Sequence, residues 1–160
     1  MNSHPNLDAA TRMLTLCLGF CAASAVAAAE ADRSATLQAI YMLENPRNLT
    51  RPGPCGELGA YQFRPTTWHA YTNAPFAYAL DRQRSDNVAN RHFEWLKQRL
   101  ETAHVPVTTY NIALAWNGGL KAAISGHAPR AARSYAERAE NLALEFARSK
   151  SKPVVVADAK

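Results

Sequence analysis

The sequence predicts a small all-α domain with one long ordered loop. Apolar residues recur at helical spacing in most segments after residue 30, and no run alternates apolar and polar residues over the length of a strand. Three prolines and two glycines fall between residues 45 and 58, and this composition predicts a structured loop. A chain of 160 residues is also long enough to bury a core of its own.

Residues 1–29 differ from the rest of the chain and predict a secretory signal peptide. Arg12 precedes an apolar, alanine-rich run, and the small residues at 25–29 offer A-x-A cleavage sites. The alternative is an uncleaved anchor, although the run is short for a membrane span. We therefore expect an exported domain at 30–148 and a flexible tail at 149–160. The protein is expected in the periplasm or cell envelope, or secreted, with no stable membrane span after cleavage.

Charge and cysteine content constrain the partners. The chain has 18 Lys and Arg against 13 Asp and Glu, a formal net charge of +5. A surplus of this sign favours a polyanionic partner, and for an exported protein this is the cell wall. The basic residues are scattered, which argues against nucleic acid and is equally consistent with a simple solvated surface. Only Cys55 lies outside the predicted signal peptide, so no internal disulfide is expected; metal-ligand spacing is absent, and we expect no metal and no cofactor.

Capping residues and prolines place the first two helices. Ser34 is predicted to cap the first helix, which ends where Asn45 precedes Pro46, because the residue before a proline disfavours the α conformation. Pro65 suits the first turn of a short helix that carries Trp68.

Three further helices follow. Ser85 is predicted to cap a helix that runs to about Ala103. Its inward face is predicted to carry Val88, Trp95, Leu96 and Leu100. Thr108 or Thr109 begins the next helix, which Gly118-Gly119 ends. The last helix is predicted from Pro129 to about Arg148.

Glu44 is the candidate acid catalyst. Leu37 and Ile40 precede it on the same helix face, so its carboxyl group is expected to emerge from an apolar surface. Desolvation penalises the charged form of a carboxyl group and raises its pKa. A carboxyl group that keeps its proton can protonate a glycosidic oxygen. The alternative is a helix-terminal glutamate that points to water.

The segment after the loop supplies candidate binding groups. Gly59 permits close approach of the backbone, and the Gln62 amide offers both a donor and an acceptor to a hydroxyl or N-acetyl group. Four aromatic residues could stack on sugar rings or pack in the core: Tyr61, Phe63, Trp68 and Tyr71.

Three segments, in order, resemble the soluble lytic transglycosylase family of lysozyme-like domains. Within residues 37–68, Glu44 is followed by Gly-Ala-Tyr-Gln-Phe at 59–63, in register with the family's catalytic Glu and its Gly-Leu-Met-Gln-type motif. Ile-Ala-Leu-Ala-Trp-Asn-Gly-Gly at 112–119 resembles the family's Ala-x-Ala-Tyr-Asn-x-Gly helix end, and Ala-Arg-Ser-Tyr at 132–135 resembles its Thr-Arg-x-Tyr segment. Two departures are Asn45-Pro46 in place of Ser-Gly and Trp116 in place of Tyr.

The resemblance implies a lysozyme-like fold and a lytic transglycosylase that acts on peptidoglycan glycan strands, with a cell-envelope assembly as a further possible partner. It implies that Glu44 protonates the oxygen between N-acetylmuramic acid and N-acetylglucosamine, then acts as base while the C6 hydroxyl closes a 1,6-anhydro ring. The residues implied to contact substrate are Gly59, Tyr61, Gln62, Trp116, Asn117 and Tyr135.

Several alternatives stay open at this stage. A hydrolytic muramidase of the same fold would need a positioned water and usually a second carboxylate. Glu57 is the local candidate for this carboxylate, and Asp81 and Asp86 are more distant options. Glu57 could instead be a loop charge paired with Arg47, Arg51 or Arg64. A non-catalytic wall-binding module is the third possibility. Asn117 also suits a helix stop before Gly-Gly, and Tyr135 also falls on the apolar stripe of the last helix.

Overall fold

The computed structural model describes residues 30–151. The predicted signal peptide and residues 152–160 of the predicted tail lie outside this range. Six α-helices and one 3₁₀ helix follow in chain order: α1 Arg33–Glu44, α2 Pro65–His69, the 3₁₀ helix Phe76–Leu80, α3 Arg82–Thr102, α4 Thr109–Gly118, α5 Leu120–Ser125 and α6 Arg130–Ser151.

The all-α prediction is confirmed for the described residues. They contain no β-strand, and their one isolated bridge joins Leu58 to Phe63 within the loop region. None of the helices at 30–151 is both long enough and apolar enough to cross a membrane.

The core lies between α1, α3, α4 and α6. The longest helix, α6, packs against both α4 and α1, and α3 packs against α4. The largest fully enclosed apolar side chains are Trp68, Phe93, Ile40, Leu96, Leu100 and Ile112. The hydroxyl groups of Thr36 and Thr109 are 2.8 Å apart and buried, so α1 and α4 are joined by a satisfied polar contact inside the core.

Both predicted serine caps are wrong. Asp32, not Ser34, caps α1, because its carboxylate accepts the Ala35 N–H at 3.2 Å. Asp81, not Ser85, caps α3 by accepting the Arg84 N–H at 2.8 Å. In each case an aspartate stands earlier in the chain and reaches the free N–H groups of the first turn.

Other elements also differ from prediction. Trp95 is 36% exposed on α3 rather than inward. The predicted stop at Gly118-Gly119 is confirmed, but a short helix that was not predicted, α5, begins directly afterwards. The last helix continues to Ser151, past the predicted end near Arg148.

Candidate active site

Glu44 is the last residue of α1 and borders a cavity of about 550 Å³. The Tyr135 hydroxyl on α6 donates to Glu44 Oε1 at 2.8 Å. Burial raises the pKa of Glu44, the Tyr135 hydrogen bond lowers it, and the negative charge of Glu57 raises it further. The net direction is upward, as the apolar stripe on α1 predicts.

Tyr135 therefore has a polar role as well as a packing role. The residue is 9% exposed on α6, which packs against α1, and its hydroxyl donates to the carboxyl group at the end of α1. Burial and the Glu44 carboxyl raise the pKa of Tyr135, so the phenol stays protonated and can only donate to an ionised Glu44. A tyrosine hydroxyl beside the acid is thus supplied by Tyr135, whereas position 116 carries a tryptophan.

Glu44 lies where two cavities meet. A second cavity of about 450 Å³ shares Glu44, Pro54 and Gln62 with the first. Trp116, Asn117 and Gly119 border the first cavity, whereas Leu49, Arg51 and Pro52 border the second. We call the two cavities together the Glu44 cleft.

Asn45 anchors the loop that forms one side of the cleft. Its side chain is buried; Nδ2 donates to the carbonyl oxygens of Leu49 at 3.0 Å and Gly59 at 3.1 Å, and Oδ1 accepts the Leu49 N–H at 2.8 Å. The residue after the candidate acid therefore fixes both ends of the loop. This is a structural reason for an amide at a position where the resembling family has serine.

Gly59 approaches the protein's own backbone rather than the cavity. It has a φ of +78°, and a Cβ atom would overlap the carbonyl oxygen of Ala79 in the 3₁₀ helix. Its own carbonyl accepts from Gln62 Nε2 at 3.0 Å as well as from Asn45. Gly59 is thus a packing residue, while Gln62 borders both cavities.

Glu57 borders the same cavity as Glu44 but is held as an anion. Its Oε2 accepts the Cys55 N–H at 2.8 Å, and its Oε1 accepts from Arg64 Nε at 3.3 Å. The backbone N–H groups of Glu57 itself and of Cys55, with the nearby Arg64 charge, lower the pKa of Glu57. Of the three arginines proposed as partners, the structure pairs Glu57 with Arg64.

The aromatic candidates separate into cleft and core. Trp116 borders the cavity, and Phe63 also borders it although that residue is only 2% exposed; their ring centroids are 5.8 Å apart. Tyr61 does not border it: the side chain is 3% exposed and its hydroxyl donates to Asp86 at 2.7 Å. The structure therefore places Tyr61 with the packing residues, in contrast to the substrate contact expected for it. Trp68 is also buried, and Asn117 is exposed at the cavity rim.

His92 borders the cavity and was not among the predicted site residues. Its Nδ1 is 2.9 Å from the Tyr71 hydroxyl, and burial lowers its pKa to about 4. A signal for it exists in the sequence. His92 stands four residues after Val88 and four before Leu96, and therefore lies on the inward stripe of α3.

Comparisons of the chain with protein-family models, with curated proteins and with solved structures find no match. Among residues 30–151, no three His, Cys, Asp or Glu side chains are grouped so that they could hold a metal ion. The geometry of the Glu44 cleft and the motif resemblance are therefore the observations that bear on function.

Proposed function

We propose that the protein is an exported lytic transglycosylase of lysozyme-like fold, which cleaves peptidoglycan between N-acetylmuramic acid and N-acetylglucosamine. One observation carries the proposal: Glu44, a carboxyl group whose pKa burial raises, lies where two cavities meet. Cleavage within a polymer needs an acid between two binding regions, one for each side of the bond. The exported location rests on the sequence of residues 1–29.

In this mechanism Glu44 gives its proton to the glycosidic oxygen while the electron pair of the C1–O bond moves to that oxygen. The substrate's own N-acetyl carbonyl stabilises the positive charge that develops at C1. The Glu44 carboxylate then removes the proton of the C6 hydroxyl as that oxygen bonds to C1. Tyr135 donates to the carboxylate between the two steps, which favours the ionised form that must act as base. No water enters the products.

Glu57 makes hydrolysis the second candidate, because it borders the same cavity. A base that activates water works best with a pKa near the working pH. The pKa of Glu57 is lowered, which weakens it as a base, and its hydrogen bonds with Cys55 and Arg64 hold the carboxylate against the loop. These contacts favour a loop-organising role for Glu57 over activation of water. An ionised carboxylate also suits the nucleophile of a retaining hydrolase, so the reaction products decide between the two reactions.

The products of digestion test the proposal. Purified cell-wall sacculi are digested in water enriched in oxygen-18, and the soluble fragments are analysed by mass spectrometry. We expect fragments with 1,6-anhydro ends, which are lighter by one water than fragments with reducing ends and carry no oxygen-18. Labelled reducing ends would instead assign the hydrolytic reaction. Binding to sacculi without any soluble fragment would overturn both and would indicate a wall-binding module.

A further inference from the structure

His92 borders the Glu44 cavity but has no part in the proposed mechanism. It lies on α3, the helix that packs against α4, and shares the cavity wall with Trp116 and Asn117. What His92 can offer to a ligand depends on which of its ring nitrogens is free.

Contacts on several sides fix the orientation of the ring. Nδ1 is 2.9 Å from the Tyr71 hydroxyl, and the Trp116 ring meets the imidazole edge-on with centroids 4.6 Å apart. Trp95 stacks on it at 5.9 Å with an interplanar angle of 14°. A ring held in this way presents its remaining nitrogen in one direction without further loss of rotamer entropy.

The remaining nitrogen, Nε2, is accessible and has no partner in the protein. Among the described residues, Asn48 Oδ1 is the one fully buried side-chain nitrogen or oxygen without a hydrogen bond. Nε2 of His92 also has no hydrogen bond, so it is not fully buried and retains some exposure to solvent. His92 borders the Glu44 cavity, so a ligand bound in that cavity would lie next to the ring.

We propose that His92 Nε2 makes a direct hydrogen bond to the sugar that binds on the Trp116 side of Glu44, which makes His92 a further substrate-binding residue; this inference rests on the proposed function. A neutral imidazole has one donor and one acceptor nitrogen, so Nε2 takes whichever role Nδ1 does not take towards Tyr71. A hydroxyl or N-acetyl group can match either role. Burial keeps the ring neutral above about pH 4, so the contact involves no charge on the protein side.

Two substitutions separate this role from a purely structural one. His92→Asn retains a polar group near the Nδ1 position, which can still meet Tyr71, but leaves nothing at the Nε2 position. His92→Gln retains a polar group near the Nε2 position but not at Nδ1. A substrate-binding role therefore predicts damage from Asn and tolerance of Gln, whereas a role that only supports Tyr71 predicts the reverse.

The test measures kcat and KM for both variants on soluble glycan oligomers of defined length, with thermal unfolding as the control for folding. We expect His92→Asn to raise KM by roughly 2- to 10-fold, the worth of one neutral hydrogen bond, with kcat little changed. His92→Gln should stay within about twofold of the unmodified chain. Equal effects of the two variants on KM, or a larger effect of Gln, would overturn the inference while leaving the proposed function intact. Absence of cleavage by the unmodified chain would overturn the proposed function, and the inference with it.

Discussion

Two walls border the Glu44 cleft, and they favour opposite charge states of their side chains. The helical wall carries Glu44, His92, Trp116 and Asn117, and the loop wall carries Leu49, Arg51, Pro54 and Glu57. On the helical wall, burial raises the pKa of Glu44 and lowers that of His92, so both side chains are shifted towards their neutral forms. On the loop wall, backbone N–H groups and Arg64 lower the pKa of Glu57 and keep it ionised. Two glutamates that border one cavity therefore acquire different chemistry from their surroundings alone.

The two walls are also coupled. The negative charge of Glu57 is one of the causes that raise the pKa of Glu44, so the ionised loop wall helps the helical wall to retain a proton. Arg64 limits this effect, because it partly neutralises Glu57. Substitutions on each wall test whether the difference between the two environments is what makes Glu44 the acid.

The largest effect is expected from removing the two carboxyl groups in turn. Glu44→Gln should lower the rate of soluble fragment release by roughly 100- to 10,000-fold, the usual contribution of general acid–base catalysis. Glutamine can still accept from Tyr135, so the fold should be kept. Glu57→Gln is the matched variant and should cost only a few-fold, through loss of loop order. Equal losses in the two variants would mean that both carboxyl groups take part in the chemistry, as in hydrolysis.

The next effect concerns the attachment of the loop wall to the helices. Gly59→Ala combines a left-handed backbone with an overlap against the Ala79 carbonyl, and should lower the free energy of unfolding by about 3 kcal/mol or more. Gly56→Ala is the control, because Gly56 has a φ of +79° but no atom within 4 Å of the added Cβ; about 1 kcal/mol is expected there. Urea unfolding measures both. Similar losses in the two variants would show that the contact with the 3₁₀ helix contributes little.

His92 should make the free energy of unfolding depend on pH. Its pKa is lowered to about 4 from 6.5, so between these values the unfolded chain binds a proton that the folded chain does not. Stability should therefore rise as the pH increases from about 4 to 6.5, by on the order of 3 kcal/mol in total. His92→Gln should lose this component, and the difference between the two stability curves isolates it. A flat difference across this range would mean that His92 titrates normally in the folded protein.

A smaller effect is expected from Tyr135→Phe. The Tyr135 hydroxyl lowers the pKa of Glu44, so its removal should raise that pKa further. If Glu44 acts as the protonated acid, the activity falls as the pH rises through its pKa, and this limb of the pH profile should move to higher pH. Tyr78→Phe, at a tyrosine 43% exposed on the 3₁₀ helix, should leave the profile unchanged. A shift to lower pH in Tyr135→Phe would contradict the assigned role of the hydroxyl.

The helices and the loop were predictable because their signals are local. Proline and glycine mark helix boundaries through their own backbone geometry: Pro46 follows the end of α1, Pro65 begins α2 and Gly119 follows the end of α4. The spacing of apolar residues indicates which face is buried. The caps were mispredicted because aspartate and serine are both good caps, and only the backbone geometry selects between Asp32 and Ser34 or between Asp81 and Ser85.

The site was only partly predictable because its contacts join distant parts of the chain. The sequence indicates Glu44 and the direction of its pKa, since Leu37 and Ile40 are its neighbours on the same helix. The contact of Tyr135 with Glu44 spans 91 residues and depends on how α6 packs against α1. Tyr61 lies in the core, whereas the next residue, Gln62, lies at the cleft. This difference depends on the positive φ of Gln62, a backbone conformation that the spacing of residues in the sequence does not predict.

A general acid must retain its proton, so the pKa of Glu44 is the quantity that tests its assigned role most directly. A carbon-13 NMR titration of the side-chain carboxyl groups, assigned with the Glu44→Gln and Glu57→Gln variants, measures both pKa values in one sample. We predict that Glu44 titrates above the ordinary value of 4.5 and Glu57 below it. A Glu44 pKa at or below that of Glu57 would contradict the assignment of Glu44 as the acid.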